Sequence, residues 1–301
     1  MKTKVLLICA ALGLALISTP ANAASDKTLV IVDSGINTNL DWAKSAVIEE
    51  ACFIEYGLCP NGKSSMVGPG AAHIDPTLVK DKAMSHGTQM ASVAVTVNPD
   101  VKIVFVRVVG MSHKGHANTY TTKALSLALD WVSANAARLN VGAVSVSFGR
   151  AYREAACPIE TKLQNQIVGL ASVNVPVVVS TGNGSDQKKV HYPACIPQVI
   201  AVGATDTRYT VKNIQGWVYP IMLISNSSPD LDLYAMGRWT VTDVNGVKAV
   251  SLGTSGATVS VATRLTQELS GGLAIGTVMD NVKASLQNAY RTVTVFEQKY
   301  W

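Results

Sequence analysis

Three short segments carry residue types that can do chemistry together. Val30-Ile31-Val32-Asp33-Ser34-Gly35 ends an apolar run on a carboxylate. His86-Gly87-Thr88-Gln89-Met90-Ala91 offers an imidazole ahead of small residues, and Gly253-Thr254-Ser255-Gly256-Ala257 places a hydroxyl ahead of an apolar stretch. Taken singly, each is ordinary. An Asp at a strand end is usually a turn former, a lone His is more often structural or exposed, and Thr or Ser commonly caps a helix. Taken together, acid, base and hydroxyl are the set that converts a weak nucleophile into one able to attack a carbonyl. A fourth segment, Val177-Val178-Val179-Ser180-Thr181-Gly182-Asn183-Gly184, adds a side-chain amide at Asn183.

Groups so far apart in sequence need a rigid frame to bring them together. The sequence predicts strands over 28–32, 101–109, 143–148, 175–179 and 199–202, each short and apolar on both faces. Such runs suit a parallel sheet covered on both sides. Ala- and Leu-rich stretches at three- and four-residue spacing predict helices over 121–138 and 159–172. Later candidates lie over 256–269 and 280–289, and the residues after His86 predict a helix that starts at that His. Strand–helix alternation implies an α/β, three-layer fold with a mostly parallel central sheet and helices on both faces. Ligands in such folds gather at the carboxyl ends of the strands. Asp33, Ser147-Phe148-Gly149 and Thr181-Gly182-Asn183 all fall at such ends.

Composition narrows the setting. The chain has 301 residues, 48% hydrophobic and 15% charged, which suits a globular domain with a sizeable core. Lys2 and Lys4 precede an apolar run from Val5 to Ile17 that ends in Ala21-Asn22-Ala23, the parts of a secretory signal peptide. The run is short of the ~20 apolar residues a membrane anchor needs. We therefore expect a signal over 1–23, one domain over 24–301, and a secreted or periplasmic product. Without Lys2 and Lys4 the formal charge falls from +5 to +3, with 23 basic against 20 acidic residues. That imbalance gives no support to nucleic-acid or membrane binding. Cys52, Cys59, Cys157 and Cys195 remain, an even number that suggests two disulfides in one of three pairings. Proximity favours Cys52–Cys59, which leaves Cys157–Cys195. No paired C-x-x-C units point to zinc.

The Asp, His and Ser segments, in that order, resemble the three signature motifs of the subtilisin-like serine peptidases. The Asn183 segment resembles the one carrying that family's oxyanion amide. Tyr192-Pro193-Ala194, Val199 to Thr205, Ser225 to Ser228, Leu231 to Ala235 and Asp280 to Asn288 extend the likeness from about Thr28 to Asn288. The resemblance implies that Ser255 attacks a peptide carbonyl, that His86 moves its proton, and that Asp33 orients and stabilises the imidazole. It implies that Asn183 and the Ser255 backbone N–H face the oxyanion. It also implies that Ser147-Phe148-Gly149 and Gly115-His116-Ala117 are extended edges to which a substrate peptide adds as a strand, with Thr181 and Gly182 beside the bound peptide.

Departures from the family set further expectations. Only Ala24 to Lys27 separates the signal from the first strand, where most relatives carry a pro-segment. The chain is expected to fold unaided or with a separate inhibitor-chaperone, and to act as a monomer on peptide or protein substrates. Val93 to Asp100 has too few oxygen ligands for the calcium loop of many relatives, so calcium is not expected at that position; a calcium site elsewhere stays open, and no other cofactor is expected. Gln89 stands where relatives commonly have His, Ser92 where they have Gly, and Gly256 where many have Met. Two rival readings use the same residues: an inactive peptide-binding relative, and a ligase or cyclase in which an amine resolves the acyl-enzyme. An α/β-hydrolase esterase is excluded because the last Gly of G-x-S-x-G is Ala257 and both partners precede the Ser.

Overall fold

The runs that read as buried strands pair side by side. A computed structural model describes residues 26–208, 211–213, 216–218 and 220–290, so the signal-peptide segment lies outside the described residues. The strands are β1 (Thr28–Asp33), β2 (Val47–Phe53), β3 (Ser65–Val67), β4 (Lys102–Arg107), β5 (Val141–Val146), β6 (Val177–Ser180), β7 (Ile200–Thr205), β8 (Val211–Asn213), β9 (Gly216–Val218), β10 (Leu233–Met236), β11 (Arg238–Thr242) and β12 (Lys248–Leu252). The helices are α1 (Asp41–Ala46), α2 (Lys82–Val97), α3 (Thr122–Asn135), α4 (Thr161–Ser172), α5 (Thr254–Ser270) and α6 (Ile275–Tyr290). Eight strands form one sheet in the order β10-β7-β6-β5-β1-β4-β2-β3. Every neighbouring pair in it is parallel except the β2–β3 hairpin. Hairpins β11–β12 and β8–β9 stand apart from it.

Alternation along the central strands divides the core. Val30, Val32, Val104 and Val106 pack under α3 and α4 with Leu125, Leu129, Leu163 and Ile167. Leu29, Ile31, Ile103 and Phe105 face the other way, against α2 and α5 with Met90, Ala91, Ala257 and Val261. The same period of two puts Asp33 on the α2/α5 face. That is the face on which His86 and Ser255 ride.

Local chemistry sets the helix ends. The Asp81 carboxylate accepts from Ala83 N–H and starts α2, and Thr121 Oγ1 accepts from Ala124 N–H and starts α3. The α2 start corrects one expectation. An acidic N-cap upstream makes Lys82 the first helical residue, so His86 lies in the second turn. At the other end Asn98 Oδ1 takes the Asp100 N–H and the chain enters β4 directly.

Two disulfides brace the periphery. Cys52 joins Cys59 across the start of the β2–β3 connection, and Cys157 joins Cys195. Among the described residues, no helix is long and apolar enough to cross a membrane. Among the same residues, no three or more His, Cys, Asp or Glu gather as a metal site.

Candidate active site

Asp33 is fully buried where β1 ends between β4 and β5. Its Oδ1 accepts from Ser34 N–H at 2.7 Å and from His86 Nδ1–H at 2.9 Å; Oδ2 lies 3.1 Å from the same nitrogen. The His86 side chain is 25% exposed, so its far edge is open to solvent while its near edge is fixed. Burial works against a charged imidazole, but the charge and hydrogen bond of Asp33 outweigh it, and the net displacement is upward from 6.5. Ser34 fastens α2 to β1: its hydroxyl donates to Met84 O and accepts from Gly87 N–H. A methyl on Gly87 would stand 2.2 Å from Gly35 O and 2.8 Å from Phe105 Cζ. Only glycine lets the His86 turn sit this close to the sheet.

Ser255 is the second residue of α5. Gly253 precedes the helix at φ +130°, a conformation that side chains oppose, and a Cβ there would also meet Asn183 Oδ1 at 2.7 Å. Ser255 and Ser147 bond reciprocally: Ser255 Oγ donates to Ser147 O at 3.5 Å, and Ser147 Oγ donates to Ser255 O at 3.4 Å. The Ser255 hydroxyl thus rests on the end of β5 rather than on His86.

Asn183 is oriented from the helix that carries Ser255. Its Oδ1 accepts from Thr254 N–H at 2.9 Å and from Thr254 Oγ1 at 3.2 Å, which leaves the amide Nδ2 as the outward donor. Thr254 Oγ1 also accepts from Gly182 N–H. Asn226 holds the loop from behind, with Oδ1 accepting from Gly184 and Asp186 N–H and its backbone N–H bonded to Gly182 O. The hydroxyl of the buried Thr181 donates to Asn226 O.

The two expected substrate edges differ. Phe148 and Gly149 follow β5, and no hydrogen bond joins their backbone groups to another described residue. Phe148 lies between functional and core surroundings, its ring centroid 5.8 Å from His86 and stacked at 5.0 Å on Tyr120. Gly115 and His116 correct the expectation of an extended edge. They belong to a tight turn in which Gly115 N–H bonds Ser112 O, Gly115 O accepts from Lys80 N–H, His116 O accepts from Ser112 N–H, and His116 N–H bonds Ser112 Oγ. The N–H and C=O groups of Gly115 and His116 are thus engaged within the protein.

Sequence reasoning left Ser34, Thr254, Asn226 and Trp239 without roles. The first three stood inside quoted segments, and polar residues flanking a reactive one are the available signal. Trp239 had none. It explains Gly256: a Cβ there would lie 2.5 Å from Trp239 Cδ1, so the indole, held by Nε1–H to Met236 O, fills the space next to Ser255. Ser92 also has a purpose, since its hydroxyl accepts from Thr242 N–H and donates to Gln89 O, tying α2 to β11.

The sequence model of the subtilase family matches residues 25–293, and the chain belongs to that family. It is 25% identical over 270 residues to a cuticle-degrading serine protease of Arthrobotrys oligospora and equally to one of Orbilia oligospora. The match covers 87% of this chain but only 57% and 55% of those relatives, so the chain spans little more than half their length. Among solved structures, a cold-adapted subtilisin-like serine proteinase superposes with a TM-score of 0.61 at 21% identity, covering 86% of this chain and 81% of that one. A psychrophilic protease gives 0.66 at 15% identity, covering 87% and 83%. The fold is subtilisin-like.

Proposed function

We propose that this subtilase is an exported serine endopeptidase that cleaves peptide bonds through an acyl-enzyme on Ser255. The observation that carries the reading is the buried Asp33 carboxylate bonded to His86 Nδ1 on the sheet face that α5 and Ser255 also cover. A substrate strand adds to the free backbone of Phe148 and Gly149. Its carbonyl displaces the Ser255 hydroxyl from Ser147 O toward His86 Nε2, since catalytic hydrogen bonds commonly tighten only on substrate binding. His86 takes the proton as Ser255 attacks, Asp33 stabilises the imidazolium, and Asn183 Nδ2 with the Ser255 N–H receives the oxyanion. His86 returns the proton to the leaving amine, and water then resolves the ester. Two disulfides and the signal-like first residues support export.

The test is to label oxidised protein of residues 24–301 with an organophosphorus serine-hydrolase probe and to follow casein cleavage. We expect both to be abolished in Ser255→Ala, and kcat to fall roughly 10²–10³-fold in Asn183→Ala. Folded wild-type protein that neither labels nor cleaves would overturn the reading in favour of a peptide-binding relative.

A further inference from the structure

A cleft of about 650 Å³ is lined by none of the residues in the hydrolytic scheme. It lies between the disulfide-closed loop at Gly57 and Leu58, the 3₁₀ turn Pro76–Leu78 with Lys80 behind it, and the turn from Met111 to Gly115. Its three walls are fastened to one another. Asn118 Nδ2 donates to Tyr56 O at 2.8 Å, and a Cβ on Gly110 would stand 2.1 Å from the same carbonyl. Lys80 N–H donates to Gly115 O at 2.9 Å, and a Cβ on Gly115 would stand 2.1 Å from Leu78 O. A cleft pinned at these points is formed before anything enters it, so a ligand there loses little affinity to ordering the protein.

The lining carries charge of one sign. Lys80, His113 and Lys114 stand exposed in it, and among the described residues no Asp or Glu lines it. Acids on the adjoining segments are engaged. Asp75 accepts from Thr77 N–H and Oγ1, Asp81 accepts from Ala83 and Ala117 N–H, and Glu55 pairs with Lys123 at 3.4 Å. Among the described residues neither Lys80 nor Lys114 has an ion-pair partner. Apolar side chains share the space: Leu58 is 57% and Leu78 54% exposed, and Met111 joins them from the third wall. A single exposed leucine means little. Two in one cleft, beside uncompensated cations, complement a chain that carries both acidic and apolar side chains. The cleft is also within reach of the reacting atoms. Lys80 lies two residues before α2, and from Lys82 to His86 that helix rises about 6 Å. An extended chain covers about 3.3 Å per residue, so one polypeptide reaches both places. We propose that this cleft is a docking site for an acidic, apolar-bearing stretch of the polypeptide substrate, separate from the residues at the scissile bond. This deepens the peptidase reading and rests on it, because the occupant is part of the chain that Ser255 attacks.

The test uses fluorogenic peptides that share one cleaved sequence. Through a Gly-Ser linker at either end they carry the block Glu-Leu-Glu-Glu-Leu, the block Gln-Leu-Gln-Gln-Leu, or no block. Wild type should cleave the acidic peptide with the higher kcat/KM, by way of a lower KM. The double variant Lys80→Gln, Lys114→Gln should lose that advantage, roughly 2–30-fold for two exposed ion pairs. Its kcat/KM on the peptide without a block should stay unchanged, and thermal unfolding checks that it folds. Raising NaCl to about 0.5 M should shrink the wild-type advantage, since exposed pairs are screened. Wild type that treats the Glu and Gln blocks alike overturns the proposal, as does an advantage that the double variant retains. Self-association of wild type that disappears in the double variant, read by sedimentation, also overturns it, because a second copy then fills the cleft. A second arm separates this from failure of the peptidase reading. Fluorescence anisotropy on Ser255→Ala measures binding of the labelled Glu-Leu-Glu-Glu-Leu and Gln-Leu-Gln-Gln-Leu peptides alone. Binding selective for the acidic peptide, and dependent on Lys80 and Lys114, sustains the docking site even where wild type cleaves nothing; equal or absent binding sinks it.

Discussion

At the scale of single residues, the Asp33–His86 pair has a consequence that can be measured. In the proposed mechanism His86 works as a base only when its Nε2 is free of a proton, and its pKa is displaced upward. The base form therefore appears at higher pH than for an ordinary imidazole, and kcat/KM should reach half its plateau above pH 6.5. Asp33→Asn removes the charge that holds the proton, so the midpoint should move down while the plateau falls about 10⁴-fold with the wrong tautomer in place. A pH–rate profile that stays put in Asp33→Asn would assign the acid limb to another group.

At the scale of elements, glycine and tryptophan exchange volume where α5 crosses β11. Gly256→Met drives a side chain into Trp239, and overpacking of this kind costs about 1–3 kcal/mol. Trp239→Ala opens the space but creates a cavity. The double variant should recover part of the loss, with a coupling of about 0.5–3 kcal/mol between the sites in a denaturation cycle. Strict additivity would show that the two residues do not share this space. The parts of the fold that sequence reveals follow the same physics. Runs such as Val141–Val146 are buried on both faces and stand out as continuous apolar stretches. β2 carries Glu49 and Glu50 and does not stand out. Yet Glu50 is nearly buried and bonds the N–H groups of Gly70 and Ala72, fixing the loop that pairs with Ile36. β12 alternates half-buried and exposed residues on a separate hairpin, so no apolar run marks it. Asp33 and Ser255 are legible because one closes a strand and the other opens a helix, whereas His86 sits in the second turn of α2. The turn at Gly115 is not, because Ser112 to His116 closes on itself and Lys80 N–H from a distant segment takes the Gly115 carbonyl.

At the scale of the whole molecule, the disulfides differ in what they restrain. Cys52 and Cys59 are 7 residues apart, Cys157 and Cys195 are 38. Restricting the unfolded chain stabilises by about 2.5 kcal/mol for the short loop and about 4 kcal/mol for the long one. Replacing Cys157 and Cys195 with Ser should thus lower stability more than replacing Cys52 and Cys59, as read by urea unfolding. The reverse order would mean that the short loop acts through the folded state, where Asn118 Nδ2 bonds Tyr56 O within it.

The position of α5 also governs when the protein can act. Helix α5 covers Leu29, Ile31, Ala143 and Val178 in the middle of the sheet, yet it is made after every strand. A chain emerging from the ribosome or threading through a translocation pore releases Asp33 and His86 well before Ser255. Until α5 follows, the sheet face that seats it stays open to water. On the proposed reading, the order of emergence keeps the three residues apart until α5 has been made and has docked.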